Sequence, residues 1–171
     1  METKIEVNNK AFELFLEQET IEKRIRLMAI QLNLDYEEKR PIFLSVLNGS
    51  FLFMADLMKE IDLDCETEFV KVASYEGESS SGAIKEVLGL PANLANRHII
   101  IVEDIVDTGL TMQYVLAKIK ALNPASVAIC TLLFKPAALK VDLEELTYVG
   151  FEIPTEFVVG YGLDFDGVGR N

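Results

Sequence analysis

The run HIIIVEDIVDTGLT, from His98 to Thr111, constrains the fold more than any other stretch of the chain. Ile99, Ile100, Ile101 and Val102 put apolar side chains on both faces of any strand they form, because successive side chains point to opposite sides of the backbone. A strand that is apolar on both faces needs cover on both. The usual solution is a parallel sheet with helices packed over each side. The same run then passes directly into Glu103, Asp104 and Asp107, with Thr108, Gly109 and Thr111 behind them. A buried strand accounts for the aliphatic residues, and a helix start accounts for the residues after Gly109. The adjacent acidic pair has no structural benefit of its own, since like charges repel unless ligand hydroxyls, a metal or a proton compensates.

The rest of the chain supplies the expected neighbours. A short strand is predicted over Phe12 to Leu16, followed by an amphipathic helix from Glu19 to about Glu38 with Ile21, Ile25, Met28, Ala29 and Leu32 on one face. PIFLSVLNGS reads as a buried strand from Ile42 to Leu47 ending in an Asn-Gly turn, and a helix is expected over Phe51 to Ile61. TEFVKVASY is a further strand, and EGESSSG, Glu76 to Gly82, has no apolar residue and is predicted to be a mobile loop. The strand His98 to Val102, a helix from about Thr111 to Leu122, a strand from Ser126 to Phe134 and a β-rich section from Tyr148 to Tyr161 complete the order. Alternating strands and helices indicate one α/β domain with a central, mainly parallel twisted sheet. Ligands of such sheets bind at the carboxyl ends of the strands, which is where Glu103 to Thr111 fall.

Composition narrows the class of partner. At 171 residues the chain suits a single domain, and its 28 acidic against 16 basic side chains leave a net charge of -12. A surface that negative repels phosphate backbones, so nucleic acid is not an expected partner. A small anion remains compatible, because a nest of backbone N–H groups overrides global charge locally. No apolar run approaches a membrane span, and METKIEVNNKAFELF lacks the pattern of a signal peptide, so a cytoplasmic location is expected. Cys65 and Cys130 lack metal or redox spacing and are expected to be buried reduced thiols, and His98, with no second His near it, a structural residue.

Thr108, Gly109 and Thr111 stand where a helix begins and several N–H groups lack partners, which suits a phosphate without a lysine. Gly109 allows a positive φ or a close approach of the backbone. Helix capping by Asp107 or Thr111 is the simpler reading, and it leaves Glu103 and Asp104 unexplained.

VEDIVDTGLT resembles the signature of the type I phosphoribosyltransferases, which bind 5-phosphoribosyl-1-pyrophosphate. Asp107 is similar to the 6-oxopurine branch, where the orotate enzymes usually show Thr, the adenine enzymes Ala and the pyrimidine-operon attenuators Tyr. Glu103 followed by Asp104 resembles the hypoxanthine (hypoxanthine-guanine) branch. LLFK, ending at Lys135, EFVVGYGLDF, VLNGSFLFMADL and SYEGESSSG resemble, respectively, the purine 6-oxo contact, the purine-binding segment, the pyrophosphate loop and the flexible lid, and their order along the chain is that of the family.

The resemblance implies a core of about 18–135 and a small hood from about 1–17 and 136–171. It implies purine salvage, with transfer of the phosphoribosyl group to N9 of hypoxanthine and of guanine. Asp107 would act as the catalytic base, within a ribose and phosphate loop of Glu103, Asp104, Asp107, Thr108, Gly109, Leu110 and Thr111. Leu47, Asn48, Gly49 and Arg170 would contact pyrophosphate, Ser74 and Tyr75 would belong to the lid, and Lys135, Phe157, Val158 and Asp164 would hold the base. Magnesium is implied as cofactor, with Asp164, Glu103 and Asp104 as ligands, direct or through water, and the subunits are expected to form homodimers or homotetramers. Asn48 departs from the Lys or second Gly common in the pyrophosphate loop, which removes one cation and leaves backbone amides of Asn48, Gly49 and Ser50. Family members often hold the peptide at Leu47–Asn48 in cis. Two readings stay open beside this one: a non-catalytic regulator on the same fold that binds nucleotide and RNA or DNA, and an enzyme specific for xanthine and guanine.

Overall fold

The computed structural model describes residues 4–74, 84–91 and 93–171, with side chains left out at 73–74 and 84–88. The elements run β1 (Lys4–Val7), β2 (Lys10–Glu13), α1 (Gln18–Asp35), β3 (Ile42–Leu47), α2 (Phe51–Glu60), β4 (Glu66–Ser74), β5 (Ile84–Leu88), β6 (His98–Val106), α3 (Leu110–Lys120), β7 (Ser126–Phe134) and β8 (Leu146–Glu152). The main sheet has the order β5-β4-β3-β6-β7-β8. Five of its strands are parallel, and β5 turns back antiparallel on β4 at the edge.

Alternate side chains of β6 enter two separate cores. Ile100 and Val102 join Phe43, Cys130 and Leu132 beneath α1 and α2, with Ile25, Leu32, Phe53 and Leu57 facing them. Ile99 and Ile101 join Leu44, Val46 and Ile129 beneath α3, facing Met112, Val115 and Ile119. The continuous aliphatic run is therefore the middle of a three-layer sandwich, and each such side chain contributes roughly 1.5–3 kcal/mol of burial. Two helices cover one face and one covers the other.

The chain winds from β3 outward through α2 to β4, then crosses back to place β6 on the other side of β3. The strand order reverses between β3 and β6, and the loops that leave their carboxyl ends diverge there. That divergence opens a crevice, the usual ligand position in sheets of this kind.

Several elements differ from expectation. The strand predicted near Phe12 is the second half of a hairpin, β1 with β2, whose Asn8 and Asn9 adopt positive φ in the turn. α1 stops at Asp35, and Tyr36 to Lys39 form a turn closed by a Lys39 N–H to Tyr36 O bond of 3.0 Å. β6 continues four residues past Val102, because Glu103, Ile105 and Val106 still pair with β7. β8 is not part of a hood beyond residue 135. Tyr148, Val149 and Phe151 pair with β7, and the Arg24 guanidinium of α1 donates to the Gly150 and Val149 carbonyls at 2.7 and 2.8 Å, which makes β8 the outer strand of the sheet. Residues past Glu152 form only isolated bridges. The serine-rich stretch 76–82 and Tyr75 lie outside the described residues.

Candidate active site

A cavity of about 440 Å³ lies in the crevice between β3 and β6. Its lining brings together three stretches far apart in sequence: Leu47, Asn48 and Gly49 after β3; Glu103 through Gly109, with Thr111, after and at the end of β6; and Asp164 with Arg170 from the C-terminal segment. Val46, Val72 and Met112 supply apolar wall.

Glu103 and Asp104 fall near the end of β6, still within the sheet. Glu103 is only 6% exposed, and its Oε1 accepts the Asp104 N–H at 3.2 Å. Burial, and then the charge of Asp104, push its carboxyl well above the usual carboxylate range. Burial and a like charge beside it make the charged form of this carboxyl costly unless something positive, or a set of donors, enters the cavity. Asp104 Oδ1 accepts the Ile105 N–H at 2.9 Å.

Gly109 caps α3 with φ +81, and no side chain bonds to the helix N-terminus as a cap. Asp107 and Thr111 therefore do not cap the helix. The Thr108 hydroxyl reaches the Leu110 N–H only at 3.5 Å, at the limit of a hydrogen bond. A side chain at Gly109 is barred by Val141 and Leu139, whose methyl carbons stand 2.7 and 2.9 Å from where a Cβ would be. The loop is thus pressed against residues after β7, and Asp107, Thr108, Gly109 and Thr111 line the cavity at the start of α3, a position that suits an anion.

The Leu47–Asn48 peptide is cis. Gly49 packs so tightly that a Cβ would lie 1.7 Å from Asp104 Oδ2, and a Cβ on Gly162 (φ +100) would lie 1.9 Å from the Gly49 carbonyl oxygen. The loop after β3 is therefore sandwiched between the acidic pair and the C-terminal segment. Ser50, expected to offer an amide to pyrophosphate, is fully buried and braces the loop from behind: its hydroxyl pairs with Ser45 Oγ at 2.7 Å and donates to the Val46 carbonyl at 2.5 Å.

Asp164 and Arg170 form an ion pair of 2.7 Å across one edge of the cavity. Asp164 Oδ2 also accepts the Gly167 N–H at 2.7 Å, and Arg170 Nη1 donates to the Gly162 carbonyl at 2.6 Å. The Gly162 N–H returns to the Arg170 carbonyl at 2.7 Å, so Arg170 is held by both its backbone and its side chain. Tyr161, just before, donates its hydroxyl to Asp56 of α2 in a short hydrogen bond. Burial and that bond push the Tyr161 hydroxyl up. Burial works against ionisation of Asp56, yet hydrogen bonds from Lys59 and Tyr161 hold its carboxyl below the usual range.

Lys135 is 5% exposed, and its Nζ reaches Asp107 Oδ2 at 3.1 Å. It sits beside the cavity and is linked to it through Asp107. Phe157 and Val158 do not line the cavity. Phe157 is 58% exposed, with Phe165 at 5.5 Å and Phe12 of the hairpin at 6.3 Å between ring centres. Leu110 is exposed and is not part of the lining. Ser74 ends β4 with its side chain undescribed, and Tyr75 lies outside the described residues. Cys130 is buried and its thiol pushed up by burial, whereas Cys65 is only half-buried, contrary to expectation. His98 lies at the opposite end of β6, paired with Ser126 Oγ at 2.8 Å.

Four carboxylates line the cavity, Glu103, Asp104 and Asp107 on and after β6 and Asp164 from the C-terminal segment, but among the described residues no three acidic, thiol or imidazole groups converge into a cage. Hard oxygen donors in that number suit magnesium, which binds through one or two carboxylates together with water and substrate phosphate. The donor chemistry fits the ion.

Sequence reasoning misses Gly162, the Tyr161–Asp56 link and the Ser45–Ser50 brace. Each joins residues more than a few positions apart or depends on backbone approach, and only the positive-φ glycines of GYGLDFDGVG hint at the second turn.

Comparison with known proteins agrees with this geometry. Residues 13–166 match the family model described as phosphoribosyl transferase domain. The chain is 44% identical to a hypoxanthine-guanine phosphoribosyltransferase of Streptococcus pyogenes, covering 92% of this chain and 87% of that one. It is 38% identical to the hypoxanthine-guanine-xanthine phosphoribosyltransferase of Tritrichomonas foetus, over 90% of this chain and 84% of the other. The crystal structure of a hypoxanthine phosphoribosyltransferase from Staphylococcus aureus superposes with a TM-score of 0.87 at 38% identity, covering 93% and 86% of the two chains. With the fold, the crevice and the whole-length similarity in agreement, this chain belongs to the phosphoribosyl transferase domain family.

Proposed function

We propose that this protein is a purine-salvage enzyme that transfers the 5-phosphoribosyl group from phosphoribosyl pyrophosphate to N9 of hypoxanthine, and of guanine, giving the nucleoside monophosphate and pyrophosphate. The observation that carries the reading is the cavity in which the Glu103–Asp104 pair, the open α3 N-terminus and the Asp107–Lys135 ion pair meet. Relatives named for hypoxanthine and guanine support it. Residues 1–171 act as one phosphoribosyltransferase domain.

The amides and hydroxyls of Thr108 to Thr111 bind the 5′-phosphate. Glu103 and Asp104 accept hydrogen bonds from the ribose hydroxyls, and negative charge on them favours the positive charge that develops at the anomeric carbon as its bond to the pyrophosphate oxygen breaks. Leu47 to Gly49 present backbone groups to pyrophosphate, and Arg170 adds the cation that Asn48 lacks. Asp107 takes or holds the proton at purine N7 while N9 attacks, a role typically worth about 10² to 10⁴-fold. Lys135 donates to the 6-oxo group and rejects a 6-amino group, which would face it donor to donor. For it to do so, the base must draw the ammonium away from, or share it with, Asp107. Phe157 stacks on the base, Val158 presents backbone groups to its edge, and a lid beginning at Ser74 and Tyr75 closes to exclude water. Asp164, with Glu103 or Asp104, would hold magnesium directly or through water, and the ion would supply positive charge to the leaving group. The protein is cytoplasmic and works as a homodimer or homotetramer.

One assay tests this: phosphoribosyl pyrophosphate and magnesium with each of hypoxanthine, guanine, xanthine and adenine. Nucleotide from hypoxanthine and guanine is expected, and none from any base overturns the enzyme reading. Asp107→Asn should cut turnover at least about tenfold with phosphoribosyl pyrophosphate binding nearly unchanged. An equal loss of both would place Asp107 in the phosphate site instead.

A further inference from the structure

Tyr161 stands between two glycines, and all three residues adopt left-handed backbone: Gly160 at φ +88, Tyr161 at φ +50 and Gly162 at φ +100. Glycine takes that conformation freely, whereas a large side chain in it is an outlier that the surroundings must hold in place. The middle position keeps an aromatic residue against its local backbone preference, and what the side chain reaches accounts for it. The ring packs beside the core beneath α1 and α2, and the hydroxyl donates to Asp56 Oδ2. Asp56 Oδ1 accepts from Lys59 at 2.7 Å, so each carboxylate oxygen has its own partner. Burial, and then the bond to Asp56, push the Tyr161 hydroxyl up, which keeps it a donor. Burial works against the Asp56 anion, but the hydrogen bonds from Lys59 and Tyr161 outweigh it and keep the acceptor charged. A charge-assisted bond of this kind is roughly twice as strong as a neutral one.

The bond joins two walls of the cavity from behind. Asp56 lies in the second turn of α2, the helix that leaves the loop of Asn48, Gly49 and Ser50. Tyr161 precedes Gly162, which packs against the Gly49 carbonyl and exchanges hydrogen bonds with Arg170, the ion-pair partner of Asp164. Asn48, Gly49, Asp164 and Arg170 line the cavity, whereas Tyr161 and Asp56 do not. Lys135 and Asp107, at the ends of β7 and β6, belong to neither wall that the bond ties together.

We propose that the Tyr161 hydroxyl is a positioning group for phosphoribosyl pyrophosphate: by tying the C-terminal segment to α2, it sets the gap between the Asn48–Gly49 backbone and Arg170, the two groups proposed to receive pyrophosphate. It touches no substrate and acts through those groups. The inference rests on the proposed phosphoribosyl transfer for the identity of the ligand. Its expected signature is selective, because the bond fixes the pyrophosphate side of the cavity and leaves the groups proposed to meet the base where they are.

Tyr161→Phe keeps the ring and removes only the hydroxyl, and thermal unfolding checks that the variant is folded. Initial-rate kinetics should show the KM for phosphoribosyl pyrophosphate raised at least about fivefold, with the KM for hypoxanthine changed by less than about twofold. Calorimetric binding of inorganic pyrophosphate with magnesium should weaken by a similar factor. Asp56→Ala should match Tyr161→Phe, and Asp56→Asn, which keeps an acceptor oxygen, should retain most of the binding. Tyr161→Phe combined with Asp56→Ala should be no worse than either change alone, because both remove the same link. Unchanged pyrophosphate binding in folded Tyr161→Phe overturns the proposal, as does an equal rise in both KM values or an additive double variant. A wild type that binds pyrophosphate but makes no nucleotide overturns the proposed activity instead, and the calorimetry of the variants still decides the link. A wild type that binds no pyrophosphate overturns both.

Discussion

At the scale of single residues, the site is governed by close approach and by buried charge. Glu103 shows the second. Its folded carboxyl is raised above its ordinary value by burial and by Asp104, so its proton is retained to higher pH in the folded state than in the unfolded chain. The stability this arrangement keeps is complete below the unfolded value and is lost as pH rises toward the folded one. Glu103→Gln, which carries no charge to bury, is therefore expected to melt higher than wild type at about pH 7–8, with the gap closing toward about pH 4–5, while its turnover falls; thermal unfolding across pH with a parallel rate assay measures both. Gly162 shows the first. Gly162→Ala combines a Cβ 1.9 Å from the Gly49 carbonyl with φ +100, and it is expected to raise the KM for phosphoribosyl pyrophosphate more than that for hypoxanthine, since the displaced loop is the one proposed to face pyrophosphate. Initial-rate kinetics with each substrate varied separates the two. Glu103, Asp104 and Asp107 are legible in the sequence because acid directly after a both-faces-apolar strand is a local anomaly. Gly162 is not, since its role lies in what stands far earlier in the chain, at Gly49.

Among elements, β6 and β8 contrast most. The aliphatic run of β6 is readable because burial on two faces leaves a continuous apolar pattern, and Ile101→Ala should cost about 2–5 kcal/mol, seen as a lower denaturant midpoint. β8 reads as a β-rich tail because its burial alternates: Tyr148 and Gly150 are buried and their neighbours are not. An edge strand with one wet side resembles many hairpin strands in sequence. What settles its place is the pairing with β7 and the Arg24 fork from α1, neither of which leaves a local trace. Arg24→Met keeps most of the stem and removes both charged hydrogen bonds, and it is expected to destabilise the fold by roughly 2 kcal/mol or more, measured by chemical denaturation. The extension of β6 through Val106 has the same origin: Glu103 looks like the end of a strand by composition, but its backbone still belongs to the ladder.

On the scale of the whole molecule, the two chain ends meet. The β1–β2 hairpin touches the C-terminal segment through the Asn8 side-chain amide on the Phe165 carbonyl at 2.9 Å, Lys10 over the Phe165 ring at 4.6 Å, and Phe12 beside Phe157. Among the described residues it makes no strand pairing with the main sheet. Removal of residues 1–14 is therefore expected to lower the melting temperature by only a few degrees while raising the KM for hypoxanthine severalfold, because Phe157 loses a neighbour; scanning calorimetry and base-varied kinetics check the two halves. The hairpin is half visible in the sequence, as one strand near Phe12, and its placement is not, because a contact between residues 157 positions apart leaves no periodicity. The loop after β3 is squeezed between Asp104 on one side and Gly162 on the other, and this has a consequence for chemistry aimed at the site. A compound that pushes on Gly49 meets the Asp104 carboxylate on one side and Gly162 on the other, so resistance through a larger side chain at Gly49 has no volume in which to arise.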